Sequence, residues 1–270
     1  MGPMGPMGAT TETGFGWATP ILAYTMATVG AALGLRCTAR ALTSDGRTKR
    51  SWLATAAVSL GSGIWTMHFV AMLGFAVTGT EIRYDVGLTL LSLVVSIAVT
   101  GAGLFIVGYG RRRAASLSIG GAVTGTGVSV MHYVGMAAMR LDGAVTYDAA
   151  TVGLSVLIAI LAATAALWAG LTIRGTAAVV GASLVMGIAV TAMHYTGMSA
   201  AEVKLANDTV ASGHVPGGGA TAMDFILPII VGIGASLFLT STFVALSPLS
   251  PGGPERAAPA VSGHRRGSHA

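Results

Sequence analysis

Three histidines stand in nearly identical surroundings: Met67-His68-Phe69-Val70-Ala71-Met72, Met131-His132-Tyr133-Val134-Gly135-Met136 and Met193-His194-Tyr195-Thr196-Gly197-Met198. Each reads Met-His-aromatic-x-small-Met. On a helix, the histidine and the second methionine, four residues apart, share one face about a turn from each other. The first methionine, adjacent to the histidine, lies roughly 100° round the axis. Imidazole and thioether together form a metal-ligand set. Thioether sulfur favours copper(I), and imidazole serves copper in either state as well as zinc, iron and nickel. Magnesium and calcium want oxygen, which the motif does not offer. The candidate ligands are therefore Met67, His68, Met72, Met131, His132, Met136, Met193, His194 and Met198, with copper the metal this donor set favours. The ordinary alternative is packing inherited by duplication, since methionine is a common core filler.

The elements that must carry these residues are membrane helices. The chain has 270 residues, 53% hydrophobic and only 9% charged, with a mean hydropathy of +0.74, whereas a soluble domain carries roughly 25% charged residues. Crossing about 30 Å of hydrocarbon takes roughly 20 residues. Runs of that kind occur near Trp17–Leu35, Trp52–Ala76, Val86–Tyr109, Ser116–Ala138, Ala150–Ile173, Thr176–Ala200 and Phe225–Leu246. The expected fold is all-α: a polytopic membrane protein of seven transmembrane helices spanning 17–246, in contact with the lipid bilayer. Residues 1–16 read as a disordered lead and 247–270 as a disordered tail. An ionisable side chain at membrane depth costs several kcal/mol unless paired, so three histidines in one frame imply partners for each.

The net charge of +5 does not point to nucleic acid, because the basic residues are dispersed among short connections. Arg36, Arg40, Arg47, Lys49 and Arg50 follow the first run, Arg111, Arg112 and Arg113 the third, and Arg174 the fifth. By the positive-inside rule the N-terminus is expected outside and the C-terminus in the cytoplasm of a plasma-membrane protein. Trp17 and Trp52 fit interfacial positions, while Trp65 and Trp168 lie deeper and read as packing residues. The lone Cys37 reads as a small buried hydrophobe, with no disulfide partner in the chain.

His68 to His132 is 64 residues and His132 to His194 is 62, two helices each, so the three motif helices run in one direction. Gly61, Gly125 and Gly187 each stand six residues before a motif, and Tyr84-Asp85 and Tyr147-Asp148 follow the first two, with Met223-Asp224 a weaker third copy. The pattern is a two-helix unit repeated three times plus a final helix. The motif helices are richer in Gly, Ser and Thr than the others, which suits the inside of a bundle. If they gather round one axis, the histidines meet at one depth near the outer face. The aromatic after each histidine could shield the site, or a tyrosine hydroxyl could orient an imidazole. No nucleophile, phosphate loop or catalytic carboxylate pair is visible, so enzyme activity is not expected.

The three motifs resemble those of the MHYT-domain membrane proteins, a bacterial family named for the tetrapeptide that Met193-His194-Tyr195-Thr196 matches in full; the other copies read Met-His-Phe-Val and Met-His-Tyr-Val. The resemblance covers about Trp17 to Leu246. It implies a sensory module with a copper site of the motif methionines and histidines, and a role in sensing oxygen, carbon monoxide or nitric oxide. Many such relatives append a cytoplasmic domain that makes or degrades cyclic di-GMP. The stretch after Leu246 is too short for one, so the resemblance implies output through a separate cytoplasmic signalling protein. The alternatives are a copper transporter and a haem protein with two of the histidines as axial ligands.

Overall fold

The computed structural model describes residues 16–77, 82–141, 143–205, 219–221, 224 and 226–246. The expected tail and all but Gly16 of the expected lead lie outside these residues, as do Met223, His214, His264 and His269. Seven helices are described: α1 (Ala18–Leu42), α2 (Gly46–Leu73), α3 (Val86–Tyr109), α4 (Arg113–Ala137), α5 (Ala149–Thr172), α6 (Thr176–Ser199) and α7 (Leu227–Leu246). The first six are long and apolar enough to cross a membrane, and the apolar stretch of α7 is shorter. The chain is thus an all-α, multi-pass membrane protein. Helices are what such a sequence must form, because hydrocarbon offers no partner to an open backbone N–H or C=O.

The first two helices overrun the hydropathy-based boundaries. α1 continues to Leu42 rather than stopping near Leu35, and α2 begins at Gly46 rather than Trp52. Arg36, Arg40, Arg47, Lys49 and Arg50 consequently sit on helix ends rather than in a loop. Hydropathy marks where a helix is surrounded by lipid, whereas the helix itself goes on until a turn stops it. Two half-buried cations settle on aromatic rings at this end: the Arg40 guanidinium lies 5.0 Å from the Trp52 ring centroid and the Lys49 ammonium 4.7 Å from that of Tyr109. At the α5–α6 turn, Gly175 takes φ +86°, which only glycine adopts without strain.

Helices α1 to α6 pack in sequence order, and α6 returns to α1 to close a ring; α7 lies outside it, against α1 and α2. Three glycines set the close approaches. A methyl group at Gly61 would lie 2.7 Å from the Ile97 Cα on α3, and one at Gly125 would lie 2.4 Å from the Ile160 Cα on α5. One at Gly187 would meet Thr28 and Tyr24 on α1. The partner of α6 in the repeat is therefore α1, and α7 is the extra helix.

Two expectations about burial are corrected here. The apolar windows of α2 and α4 are 78% and 50% buried, but that of α6 is only 28% buried, below the 33% of α3. With α7 seated on α1 and α2, no described helix covers the outer face of α6. Trp168 is half exposed on the outside of the bundle rather than packed, whereas Trp65 is buried and its indole N–H donates to Ser92 Oγ at 2.9 Å. Cys37 is buried.

At the end that carries the motifs, the connections form short strands that hydropathy did not reveal: β1 (Arg83–Tyr84), β2 (Met139–Arg140), β3 (Gly143–Tyr147), β4 (Ala201–Leu205) and β5 (Ala220–Thr221). β1 pairs antiparallel with β2 and β5, and β3 with β4. Each of the three connections is thereby tied to the other two. Backbone bonds continue the linkage: Asp85 N–H donates to Ala138 O (2.8 Å) and Asp148 N–H to Ala200 O (2.9 Å).

Asp85 and Asp148 also cap α3 and α5, accepting from the amides of Leu88 and Thr151 at 2.9 Å. The Arg140 guanidinium, 2.8 Å from Asp85, and the Leu88 amide hold the Asp85 carboxyl below the usual carboxylate range. A depressed folded-state value stabilises the fold above the unfolded value of about 3.9, and that contribution disappears as pH falls through the lowered value. The Asp85→Asn variant is therefore expected to melt below the parent at pH 7, with the gap closing on acidification below about pH 4. Thermal unfolding of both proteins in detergent across that range checks it; a gap independent of pH would rule out the ion pair as its source.

Candidate metal centre

His68, His132 and His194 lie in the last two turns of α2, α4 and α6. The repeat brings helices of one direction together, and the ring closure sets the motifs at one depth. All three side chains are about 1% exposed. His68 Nδ1 is 3.0 Å from His194 Nδ1 and 3.1 Å from His132 Nδ1, and the ring centroids are 4.8–5.1 Å apart. The three imidazoles thus turn the same nitrogen toward a common point.

For His68 and His132 the opposite edge of the ring explains why. A methyl group at Gly135 would lie 2.3 Å from His68 Nε2, and one at Gly197 would lie 2.4 Å from His132 Nε2. Each of these rings rests its far edge on the small residue of the next motif, which blocks the reverse orientation. Nε2 of all three histidines is buried without a hydrogen-bond partner. Gly135 and Gly197 are thus positioning residues that sequence reasoning passed over. The signal was present in the invariant small residue of the motif, but its meaning depends on a neighbouring helix.

Five of the motif methionines, Met67, Met72, Met131, Met136 and Met193, are buried, and Met198 is half-buried; they belong to one apolar cluster with Trp65, Phe69 and Tyr84. The motif aromatics stand edge-on to their own histidines, with centroids 4.8–5.1 Å apart. The expected orienting role of a tyrosine hydroxyl is not what the structure shows for Tyr133. Its hydroxyl pairs with Ser155 Oγ on α5 at 2.8 Å, because a side chain next in sequence to the histidine projects away from the shared axis. Tyr195 is 39% exposed. Phe69 packs against Trp65 and, edge-on, against Tyr84; Tyr133 meets Tyr147 in the same way, so the Tyr-Asp pairs anchor the motif aromatics.

The histidine triad tests well as a metal cup. Nitrogen ligands about 2.0–2.1 Å from one ion stand roughly 3.3–3.5 Å apart, so the two observed separations need open by only a few tenths of an ångström. Among the described residues no carboxylate joins the three histidines, which leaves a neutral nitrogen set flanked by thioethers. Such a set suits a soft or borderline ion rather than magnesium or calcium.

A repeat-built, multi-pass helical bundle with three histidines converging near one membrane face defines a class of membrane protein with a buried polar centre in an apolar frame. The model of the family described as the bacterial signalling protein N-terminal repeat, MHYT, matches residues 61–120 and 125–183. The bifunctional diguanylate cyclase/cyclic di-GMP phosphodiesterase MucR of Pseudomonas aeruginosa is 41% identical over 64% of this chain and 26% of its own length. The cyclic di-GMP phosphodiesterase NbdA of the same organism is 40% identical over 56% of this chain and 20% of its own length. The signaling protein YkoW of Bacillus subtilis is 28% identical over 67% of this chain. The chain spans about a quarter or less of the length of these relatives, and no solved structure matches it. Residues 61–183 thus carry the MHYT repeats of bacterial signalling proteins.

Proposed function

We propose that this chain is a membrane sensor that holds one copper ion on His68, His132 and His194, with motif methionines completing the soft environment. The convergence of three buried Nδ1 atoms carries this reading. When bound, copper(I) supplies an electron-rich centre for a diatomic gas such as oxygen, carbon monoxide or nitric oxide. The protein's own part is to hold the three nitrogens at one point and to keep bulk water from the site. Burial of the rings, the tethered connections and the aromatic wall serve this. A shift of the nitrogens on gas binding moves α2, α4 and α6 against one another, the kind of helix displacement that switching proteins use.

The end opposite the triad carries Arg47, Arg111, Arg112, Arg113 and Arg174. We take it as cytoplasmic by the positive-inside rule, and as the face read by a cytoplasmic signalling partner. The cyclic di-GMP enzymes among the relatives make that class of output the first to try. The rival readings find less support. A haem with two axial histidines needs a macrocycle plane between the rings, and centroids 4.8–5.1 Å apart leave no slot for it. A metal path needs a series of further ligands along the bundle, and below the triad the described lining offers only Met186 and threonine hydroxyls already bonded to the backbone.

Elemental analysis of the detergent-purified protein is expected to find copper near one per chain, and none when His68, His132 and His194 are all alanine. Carbon monoxide added to the reduced wild type should then give a copper-carbonyl infrared band absent from the variant. An equal metal-to-protein ratio in the two proteins would refute the site.

A further inference from the structure

The face of each motif helix that carries the histidine continues inward as two further layers. Four residues before the histidines stand Ile64, Val128 and Val190; eight before them stand Leu60, Thr124 and Met186. All six line one cavity of roughly 60 Å³ inside the ring. The alternate helices complete it in register: Ala31, Thr100 and Ala163 form part of its wall, and Leu35, Leu104 and Leu167 lie nearer its far end. The spacing of those two sets is the one that pairs Thr28, Ile97 and Ile160 with the three helix-contact glycines, so the cavity follows the repeat and is not a local packing fault.

Its chemistry is almost wholly apolar. The polar lining residues are Thr38, Thr100 and Thr124, and each hydroxyl donates to a backbone carbonyl: Gly34 O at 2.8 Å, Ser96 O at 2.7 Å and Val99 O at 3.4 Å. A buried water needs two to four polar partners, and a water-sized guest needs about 10–15 Å³. The space is therefore several times what one small molecule requires, yet it offers water almost nothing to bond. Apolar cavities of this kind stay dry and take up apolar guests such as xenon.

We infer that the cavity is a binding site for a small apolar molecule without hydrogen-bonding groups. The upper layer lies one helical turn, about 5–6 Å, from the histidines. A guest there touches α2, α4 and α6 at once and bears on the separation of the helices that carry the triad. The site uses none of the three histidines and, of the motif residues, borders only Met193, so it stands apart from the metal reading and exists whether or not copper binds.

Xenon is the probe, followed by ¹²⁹Xe NMR on the detergent-purified full chain against protein-free micelles. The wild type is expected to show one saturable site. Ala163→Phe, which fills the cavity, should weaken it at least tenfold, while Gly153→Ala, a position with open space around it, should leave it unchanged. The variant with all three histidines replaced by alanine should still bind xenon. Should Ala163→Phe fail to fold, Ala31→Leu blocks the same space from α1. Partitioning no different from empty micelles, or wild-type affinity in a folded filled variant, would overturn the assignment. Xenon binding without copper would leave this site standing and remove only the metal proposal.

Discussion

On the proposed copper site, His68→Ala is expected to weaken metal binding more than His132→Ala or His194→Ala. His68 Nδ1 makes both short contacts of the triad, 3.0 Å to His194 Nδ1 and 3.1 Å to His132 Nδ1. Removing His132 leaves the His68–His194 pair, and removing His194 leaves the His68–His132 pair. Removing His68 takes away the shared member and opens a cavity between the other two rings, each of which then has an unpaired buried nitrogen, a cost of about 1–3 kcal/mol apiece. A copper affinity at least a hundredfold below the parent is expected for His68→Ala, with a smaller loss for the other two. Competition against a chelator of known affinity checks the order. Equal losses for all three variants would show that the triad acts as a symmetric set and that His68 is not its hub.

Gly125→Ala will be among the most destabilising single-methyl additions in the protein. The new methyl would lie 2.4 Å from the Ile160 Cα, so α4 and α5 must separate along their length rather than one side chain moving aside. Overpacking of a tight interior typically costs about 1–3 kcal/mol, and displaced backbone belongs at the upper end of that range. Because α4 also carries His132, the displacement pulls one nitrogen away from the other two, so metal affinity falls with stability. Gly181→Ala on α6, where nothing lies within 4 Å, serves as the control and should change neither. Thermal unfolding of the three proteins in one detergent decides it; a Gly125→Ala protein as stable as the control would mean that this helix pair is not closely packed in the membrane.

Much of this was legible in the sequence because the signals are local or periodic. Long apolar runs dictate helices wherever backbone groups have no water to meet, and the recurrence of His68, His132 and His194 at two-helix intervals dictates that three parallel helices present the same face at the same depth. The Tyr84-Asp85 and Tyr147-Asp148 pairs marked the starts of α3 and α5 through ordinary capping chemistry. Helix ends are not legible where Arg36 to Arg50 lie, since hydropathy responds to lipid and not to backbone hydrogen bonding.

What only the tertiary structure decided depends on which helix faces which. That α6 pairs with α1 and leaves α7 outside follows from ring closure, a long-range contact between Gly187 and Thr28 that no local pattern encodes. The tying of the connections by β1 to β5 arises from strands of two to five residues, too short to carry a periodic signal. The inward turn of the His68 and His132 Nδ1 atoms is set by Gly135 and Gly197 on neighbouring helices. Residue types and spacing determined that three histidines would share a level; steric contact across helix interfaces determined that they converge.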